Sequence, residues 1–491
     1  MQPFVLAAEL ERRYADYIRT SFPFADRTLR EQIDEKIREE HLLASGPIVS
    51  LQRAFESGPT VEQLRASGLL HDDVAAIFRG WVLHRHQADA LERLSDRTGH
   101  ARSTIVATGT GSGKTEAFLL PILDYCARNR GDGVKALLVY PMNALANDQL
   151  NRLRRYLAGT GITFGRYTGD TRESDGEGRP DEAPPEECWS RQAIRQRRPN
   201  LLITSYRMLE YLLVRRQDQP IFRPGGAATS LRYLVLDEVH TYDGALGAEV
   251  ACLVRRLRGH LDLRGSSLVC VGTSATVGHK EGDAVRAFAS DLFADTIDRD
   301  GLIEERYVDE PSPPLSLAPP AALTDGELAA IERLAEREAD HALAIEPALE
   351  TALGSLLGAR EWPAAWPDFE RELFDALRDH PTLRWLQHAF RTPARLDDVV
   401  AASLAVPGRE SSKRAVAERE ITSLLTLGTI ARDTEGALLR PRLHALFRGL
   451  ARTTRCIRCG DLQANGDQTC AACHARALPL EICRVCGQDY L

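Results

Sequence analysis

Between residues 103 and 276, short apolar runs alternate with longer amphipathic ones. Aliphatic and β-branched residues dominate 103–107, 136–140, 201–204, 233–236 and 267–271. Each run is too short for a helix and is closed by polar, glycine or acidic residues, as strands are. The stretches between them, such as 143–156 and 246–257, space their apolar residues along one helical face. Strands apolar on both faces, alternating with helices, predict an α/β fold with a parallel sheet covered on either side. Ligands of such sheets bind beyond the carboxyl ends of the strands, which is where the polar punctuation falls.

Outside this region the pattern is mostly helical. Segments 6–18 and 29–43 are charged and amphipathic, and Gly46-Pro47, Gly58-Pro59 and Gly68 punctuate the residues up to about 75. Pro311, Pro313, Pro314, Pro319 and Pro320 mark a linker. Residues 324–450 read as helices with a loop at Pro407-Gly408 and a strand pair at 429–432 and 437–439, which admits a winged-helix-like module. The expected organisation is a helical N-terminal region over 1–75, a parallel-sheet domain over 76–305, a helical region over 306–450 and a cysteine-rich segment over 451–491.

Chemistry enters at the strand ends. The first strand runs into Thr108-Gly109-Thr110-Gly111-Ser112-Gly113-Lys114-Thr115 and then a helix. Strand, glycine loop and helix are the setting of a phosphate-binding loop: glycines let backbone N–H groups turn inward, and the helix terminus adds positive charge. Lys114 would reach the β- and γ-phosphates of a nucleotide and Thr115 would bind Mg²⁺. The strict pattern has glycine six residues before the lysine, where this chain has Thr108. Another strand ends in Asp237-Glu238. Beside a phosphate loop, the first carboxylate can hold Mg²⁺ and the second can activate water.

Composition narrows the rest. The formal net charge is −8, so a nucleic-acid partner would have to meet local basic surface. Candidates are Arg191, Arg195, Arg197 and Arg198, then Arg215 and Arg216, then Arg255, Arg256 and Arg258. Segment 171–187 is acidic and rich in proline and glycine, a solvated loop by composition. Trp362, Trp366 and Trp385 read as interhelix packing more readily than as platforms for bases. His84 and His86 have too few neighbouring ligands for a metal and read as structural. No run approaches the roughly 18 apolar residues of a membrane span, and no secretory pattern is present; the expectation is a cytoplasmic protein with no membrane partner. Of ten cysteines, six fall after residue 455 as Cys456/Cys459, Cys470/Cys473 and Cys483/Cys486. Paired knuckles of this kind build a tetrahedral thiolate cage for Zn²⁺. The first two pairs are the favoured ligands. Cys459 and Cys486 are both followed by glycine, so pairing of the first with the third, or a second site using Cys483 and Cys486, stays open.

Taken together, Thr108–Thr115, Asp237–His240 and Thr273-Ser274-Ala275-Thr276 resemble motifs I, II and III of superfamily 2 DExH helicases. Leu83–Gln87 resembles the adenine-reading Q segment, Tyr140–Leu145 with Gln149 resembles motif Ia, and Thr168–Asp170 with Thr204–Leu209 resembles the Ib region. The stretch Glu238–Gly244 is most similar to large bacterial enzymes of the Lhr and MrfA type, and the long helicases of anti-phage defence islands are also similar. The resemblance covers about residues 80–300. It implies a RecA-like ATP-binding domain in which Gln87 reads adenine and residues 108–115 hold ATP and Mg²⁺. Asp237 and Glu238 would serve metal and water, and His240 with Thr273–Thr276 would couple the nucleotide to domain movement. Pro141, Asn143, Thr168, Gly169 and Thr204 would touch the nucleic-acid backbone. Such backbone contacts carry no sequence information and suit a moving motor.

No second strand–helix repeat and no Gln-x-x-Gly-Arg-x-x-Arg stretch comes after Thr276. The expectation is therefore the front half of an ATP-dependent helicase or translocase, in DNA repair or defence, that requires a second RecA-like domain or a downstream polypeptide. A non-catalytic ATP- and nucleic-acid-binding module needing a partner chain is the alternative. The motifs leave DNA versus RNA open.

Overall fold

A computed structural model describes residues 3–490 apart from 23, 40–42, 110, 179, 276–281, 310, 337–344, 434–435, 448–452, 464–465, 484–485 and 487. The chain divides into two compact units, one formed by residues 54–308 and the other by 1–53 together with 309–491.

The first unit is built on an eight-stranded sheet in which every pairing is parallel. Its strands are β1 (Thr104–Ala107), β2 (Ala136–Tyr140), β3 (Phe164–Tyr167), β4 (Glu187–Cys188), β5 (Leu201–Ser205), β6 (Tyr233–Leu236), β7 (Val269–Ser274) and β8 (Leu302–Glu304). The order is β8-β1-β7-β6-β2-β5-β3-β4. Helices α1 (Arg85–Leu94), α2 (Lys114–Arg128), α3 (Asn143–Leu157), α4 (Arg191–Arg197), α5 (Tyr206–Val214), α6 (Gly244–His260) and α7 (Gly282–Phe293) cover it. The two faces carry separate cores. Val106, Leu138 and Val235 point to one, with α1, α2 and α3; Ile105, Val139 and Leu234 point to the other, with α5, α6 and α7. The period of two explains why each central strand is apolar throughout. Each such side chain contributes roughly 1.5–3 kcal/mol on burial.

Four strand expectations need adjustment. The run at 267–271 is displaced, because Gly272 and the polar Thr273 and Ser274 continue β7 by pairing with Ile105, Val106 and Ala107. Strands β3, β4 and β8 were not expected; they are short and lie toward the sheet margins. The acidic segment 171–187 is mostly exposed loop, but its last residue, Glu187, is buried in β4 and takes the Arg154 guanidinium at 2.7 Å. Residues 54–75 also belong to this unit. Ser57–Thr60 pairs with Val82–His84, and Thr60 caps the helix Val61–Ala66 in a reciprocal capping box with Gln63.

In the other unit, Ala44–Leu51 is a strand, not a helix, and lies between Ala394–Arg395 and Pro441–Phe447. Its partners are hundreds of residues away, so nothing local announces it. The helix Arg414–Ile430 is buried on most of its faces. Its Ile421, Leu424 and Leu425 belong to the core of this unit. Trp362, Trp366 and Trp385 pack against that core. The helices Pro3–Ser21 and Arg27–Glu39 form a smaller core through Ile18, Leu29 and Ile33 that also takes in Leu462 of the cysteine segment. Arg455 bridges Asp26 at 2.9 Å and Asp489 at 2.6 Å. Among the described residues no helix is long and apolar enough to cross a membrane.

Candidate nucleotide and metal sites

The strand order makes β1, β7 and β6 neighbours, so the ends of the three motif-bearing strands meet. After β1 the chain turns through the glycine loop into α2. Gly113 caps that helix at φ 76°, in the left-handed region that a Cβ disfavours. A Cβ there would also lie 2.1 Å from Gln87 Nε2. The loop is braced from within: the Thr108 and Ser112 hydroxyls are 2.7 Å apart, and Ser112 Oγ donates to the Gly109 carbonyl at 2.8 Å. From below, His86 Nε2 lies 2.8 Å from the Ser112 carbonyl and Gln87 Nε2 donates to the Gly113 carbonyl at 3.0 Å. Gln87 is buried, and its other amide atom accepts from the His84 N–H at 2.8 Å. The residue expected at adenine thus has both ends engaged under the loop. His86 is fully buried, and burial pushes its imidazole below its usual value. Phe55 packs on both His84 and His86 and stacks on Tyr307. Tyr307 donates to Glu305, and Glu305 accepts the Gly109 N–H. Sequence reasoning missed Phe55, Glu305 and Tyr307, which come from distant segments with no motif of their own.

Lys114 opens α2. Its ammonium donates to the Ser274 carbonyl at 3.3 Å and lies 3.6 Å from Glu238 Oε1. Asp237 comes directly after β6. Its carboxylate accepts the Thr273 hydroxyl, whose oxygen in turn accepts the Glu238 N–H at 3.1 Å. Burial raises the Asp237 carboxyl above its usual range, against the Thr273 hydrogen bond that lowers it. Glu238 sits at φ 51°, a left-handed conformation costing roughly 1–2 kcal/mol outside glycine. The Thr273 hydrogen bond holds it there and aims its carboxylate between Lys114 and His240, whose Nδ1 is 3.3 Å away. Ser274 Oγ is also 3.3 Å from that nitrogen. The strand expected to couple the site therefore touches the lysine, the metal-type carboxylate and the histidine. Thr115 lies in the first turn of α2, and Ala275 is exposed. Thr110 and Thr276 lie outside the described residues. Half-buried Asp237, with Thr115 on the adjoining helix terminus, offers oxygen donors of the kind that suit a divalent cation.

The expected nucleic-acid residues fall into two groups. Asn143 and Gly169 are exposed beyond β2 and β3, and Pro141 is half-buried. Thr168 and Thr204 are fully buried; the Thr204 hydroxyl donates to the Tyr167 carbonyl at 2.7 Å and ties β5 to β3. Arg191 donates to the carbonyls of Thr168 and Gly169 at 3.0 and 3.2 Å, and Arg195 pairs with buried Asp218 at 2.7 Å. These two arginines shape the loop from behind.

In the tail, Sγ atoms of Cys456, Cys459, Cys470 and Cys473 all lie within 4.8 Å of one another. A tetrahedral zinc with bonds of about 2.3 Å spaces its sulfurs about 3.8 Å apart, and the pairs Cys456/Cys473 and Cys459/Cys470 stand at 3.4 and 3.6 Å. N–H groups of Cys459 and Arg458 point at Cys456 Sγ and lower its thiol to about 6, which favours the thiolate that zinc needs. The first pair is thus grouped with the second. Cys483 and Cys486 stand outside that group, on the hairpin that pairs Glu481–Ile482 with Asp489–Tyr490.

Residues 84–285 match the DEAD/DEAH box helicase family. Over 91% of its length the chain is 28% identical to the Druantia protein DruE of Escherichia coli, of which it covers 30%. It is 30% identical over 199 residues to the uncharacterized ATP-dependent helicase YprA of Bacillus subtilis, covering 40% of this chain and 23% of that one. The chain thus spans under a third of the length of these two relatives. The solved structure of the DUF1998 helicase MrfA bound to DNA aligns with a TM-score of 0.41 at 21% identity, over 75% of this chain and 55% of that one.

Proposed function

We propose that this chain, whose residues 84–285 form a DEAD/DEAH box helicase domain, is the ATP-binding part of a DNA helicase or translocase working in repair or anti-phage defence. The observation that carries the reading is the meeting of Lys114, Asp237, Glu238 and Thr273 at adjoining strand ends. Lys114 and the loop amides would hold the phosphates, Thr115 and Asp237 would hold Mg²⁺, and Glu238 would orient the attacking water. The bound metal would neutralise phosphate charge. When phosphate arrives, Lys114 has to leave Glu238 for it, which frees that carboxylate as His240 and Thr273 keep its position. Exposed Asn143 and Gly169 would meet the backbone of the strand. Zinc held by Cys456, Cys459, Cys470 and Cys473 has a structural role, because four protein sulfurs leave no open position for substrate.

The direct test is binding of a fluorescent ATP analogue. Lys114→Ala is expected to abolish it while the thermal unfolding midpoint stays near that of the wild type. Unchanged affinity would remove the basis of the proposal. Competition between labelled DNA and RNA strands of equal length separates the two nucleic acids, with preference for DNA expected.

A further inference from the structure

We propose that the outer face of α5 is a stacking platform for single-stranded DNA, with Tyr211 as the ring that meets a base and Arg207 and Arg215 as the cations on either side. The proposal deepens the DNA reading above and rests on it.

Three observations lead to it. The first is an exposed apolar ring on an amphipathic helix. α5 buries Met208, Leu209, Leu212 and Leu213, while Tyr211 is 53% and Val214 67% exposed. Aromatic rings offer a flat surface that stacks on any base. The second is charge. Arg207, Tyr211 and Arg215 follow one another at four-residue steps along one side of the helix and its C-cap, with Cα atoms about 6 Å apart along the axis. The Arg215 guanidinium lies over one face of the Tyr211 ring, 4.7 Å from its centroid, so a base would take the other face; Arg207 lies over the neighbouring Tyr206 ring and donates to its Oη at 3.0 Å. Phosphates flanking a stacked base would find these positions. The nearest carboxylate on the helix, Glu210, is taken by both terminal nitrogens of Arg256 at 3.2 Å, so it repels phosphate little. Arg258, by contrast, is spent on the Phe293 carbonyl and Asp295. The third is continuity. β5 passes into α5 without a loop, and Ser205 Oγ caps the helix by accepting the Met208 N–H at 3.3 Å. The first turn of α5 therefore starts at the sheet edge to which Asn143 and Gly169 belong, and a strand leaving that edge runs onto the Arg207–Tyr211–Arg215 face.

The test is fluorescence anisotropy with the full 491-residue chain, using a labelled oligothymidylate and an abasic strand of the same length. Tyr211→Ala should weaken oligothymidylate binding by roughly 5- to 150-fold, the loss of one base stack, and leave the abasic strand unaffected. Tyr211→Phe should restore binding. Arg207→Ala and Arg215→Ala should weaken both strands and each reduce the salt dependence by about one counterion. Tyr211→Ala that binds oligothymidylate like the wild type, or loses both strands equally, overturns the platform. Wild-type protein that binds neither strand defeats the DNA reading itself. Should Tyr211→Ala unfold, a strand carrying iodouracil is photocrosslinked to the wild type. A crosslink on the peptide containing Tyr211 supports the platform, and crosslinks confined to other peptides reject it.

Discussion

At the scale of single residues, the phosphate loop is held by side chains that reach it from other segments. His86 and Gln87 reach up from α1 to the Ser112 and Gly113 carbonyls, and the motif position of Gln87 suggested an adenine contact and not a brace. A polar side chain at a motif position can also hydrogen-bond to the backbone beside it, and that bracing is visible only in the packed structure. Gly113→Ala meets both a left-handed φ and Gln87 Nε2, and Gln87 cannot retreat without releasing the His84 N–H. The variant should lose nucleotide binding and unfold at lower temperature, by about 2 kcal/mol or more; retention of wild-type nucleotide affinity would contradict the brace. His86 gives a second outcome. Burial lowers its folded pKa below the unfolded value of 6.5. The unfolded chain then binds a proton that the folded one refuses, so the stability from His86 is complete above about pH 6.5 and is lost as pH falls below it. The unfolding midpoint should drop more steeply with acid in the wild type than in His86→Gln, as read by thermal denaturation across that window.

At the scale of elements, the sequence was legible wherever local pattern alone determines the structure. β1, β2, β5 and β6 are buried on both faces and announce themselves as unbroken apolar runs. β7 was misplaced because Gly272, Thr273 and Ser274, none of them apolar strand formers, extend it through pairing with β1, Gly272 with β6 as well. Ala44–Leu51 carried no signal, since its partner Pro441–Phe447 lies at the other end of the chain. The candidate site obeyed the same division. Lys114, Asp237, Glu238 and Thr273 were legible because they stand at strand ends in a fixed order, whereas Glu305 and Tyr307 reach the loop only through folding. The cysteine element yields a prediction of its own. Purified protein should contain about one zinc per chain, because the four grouped sulfurs fit one tetrahedral ion. Cys459→Ser should lose it and Cys483→Ser should keep it. Because metal binding of this kind is folding free energy, zinc loss should also loosen the smaller core that Leu462 shares with Leu29 and Ile33, seen as faster proteolysis within residues 3–39. Equal zinc content in both serine variants would refute the assignment.

At the scale of the whole molecule, the candidate nucleotide site stands on a single sheet. Among the described residues there is one parallel sheet; the remaining sheets have two or three strands and pair antiparallel. The site on the parallel sheet offers Lys114 as the cation beside Glu238, and no arginine is among the described hydrogen-bond and ion-pair contacts of Glu238 and Asp237. In related phosphoryl transfer an arginine finger is worth roughly 10³–10⁵ in rate, or about 4–7 kcal/mol of barrier. Preorganised positive charge is usually the largest catalytic term, so ordered Asp237 and Glu238 cannot replace it. Stepping along a strand has a separate requirement, since two domains must close on the nucleotide and reopen after hydrolysis. The chain of 491 residues should therefore bind ATP but turn it over slowly and leave duplexes intact. Steady-state ATP turnover with and without single-stranded DNA decides this, with Glu238→Gln as the blank. Activity that appears on adding a polypeptide carrying a second RecA-like domain with its arginine is the expected rescue. Robust DNA-stimulated turnover by this chain alone, lost in Glu238→Gln, would show that its own residues complete the site.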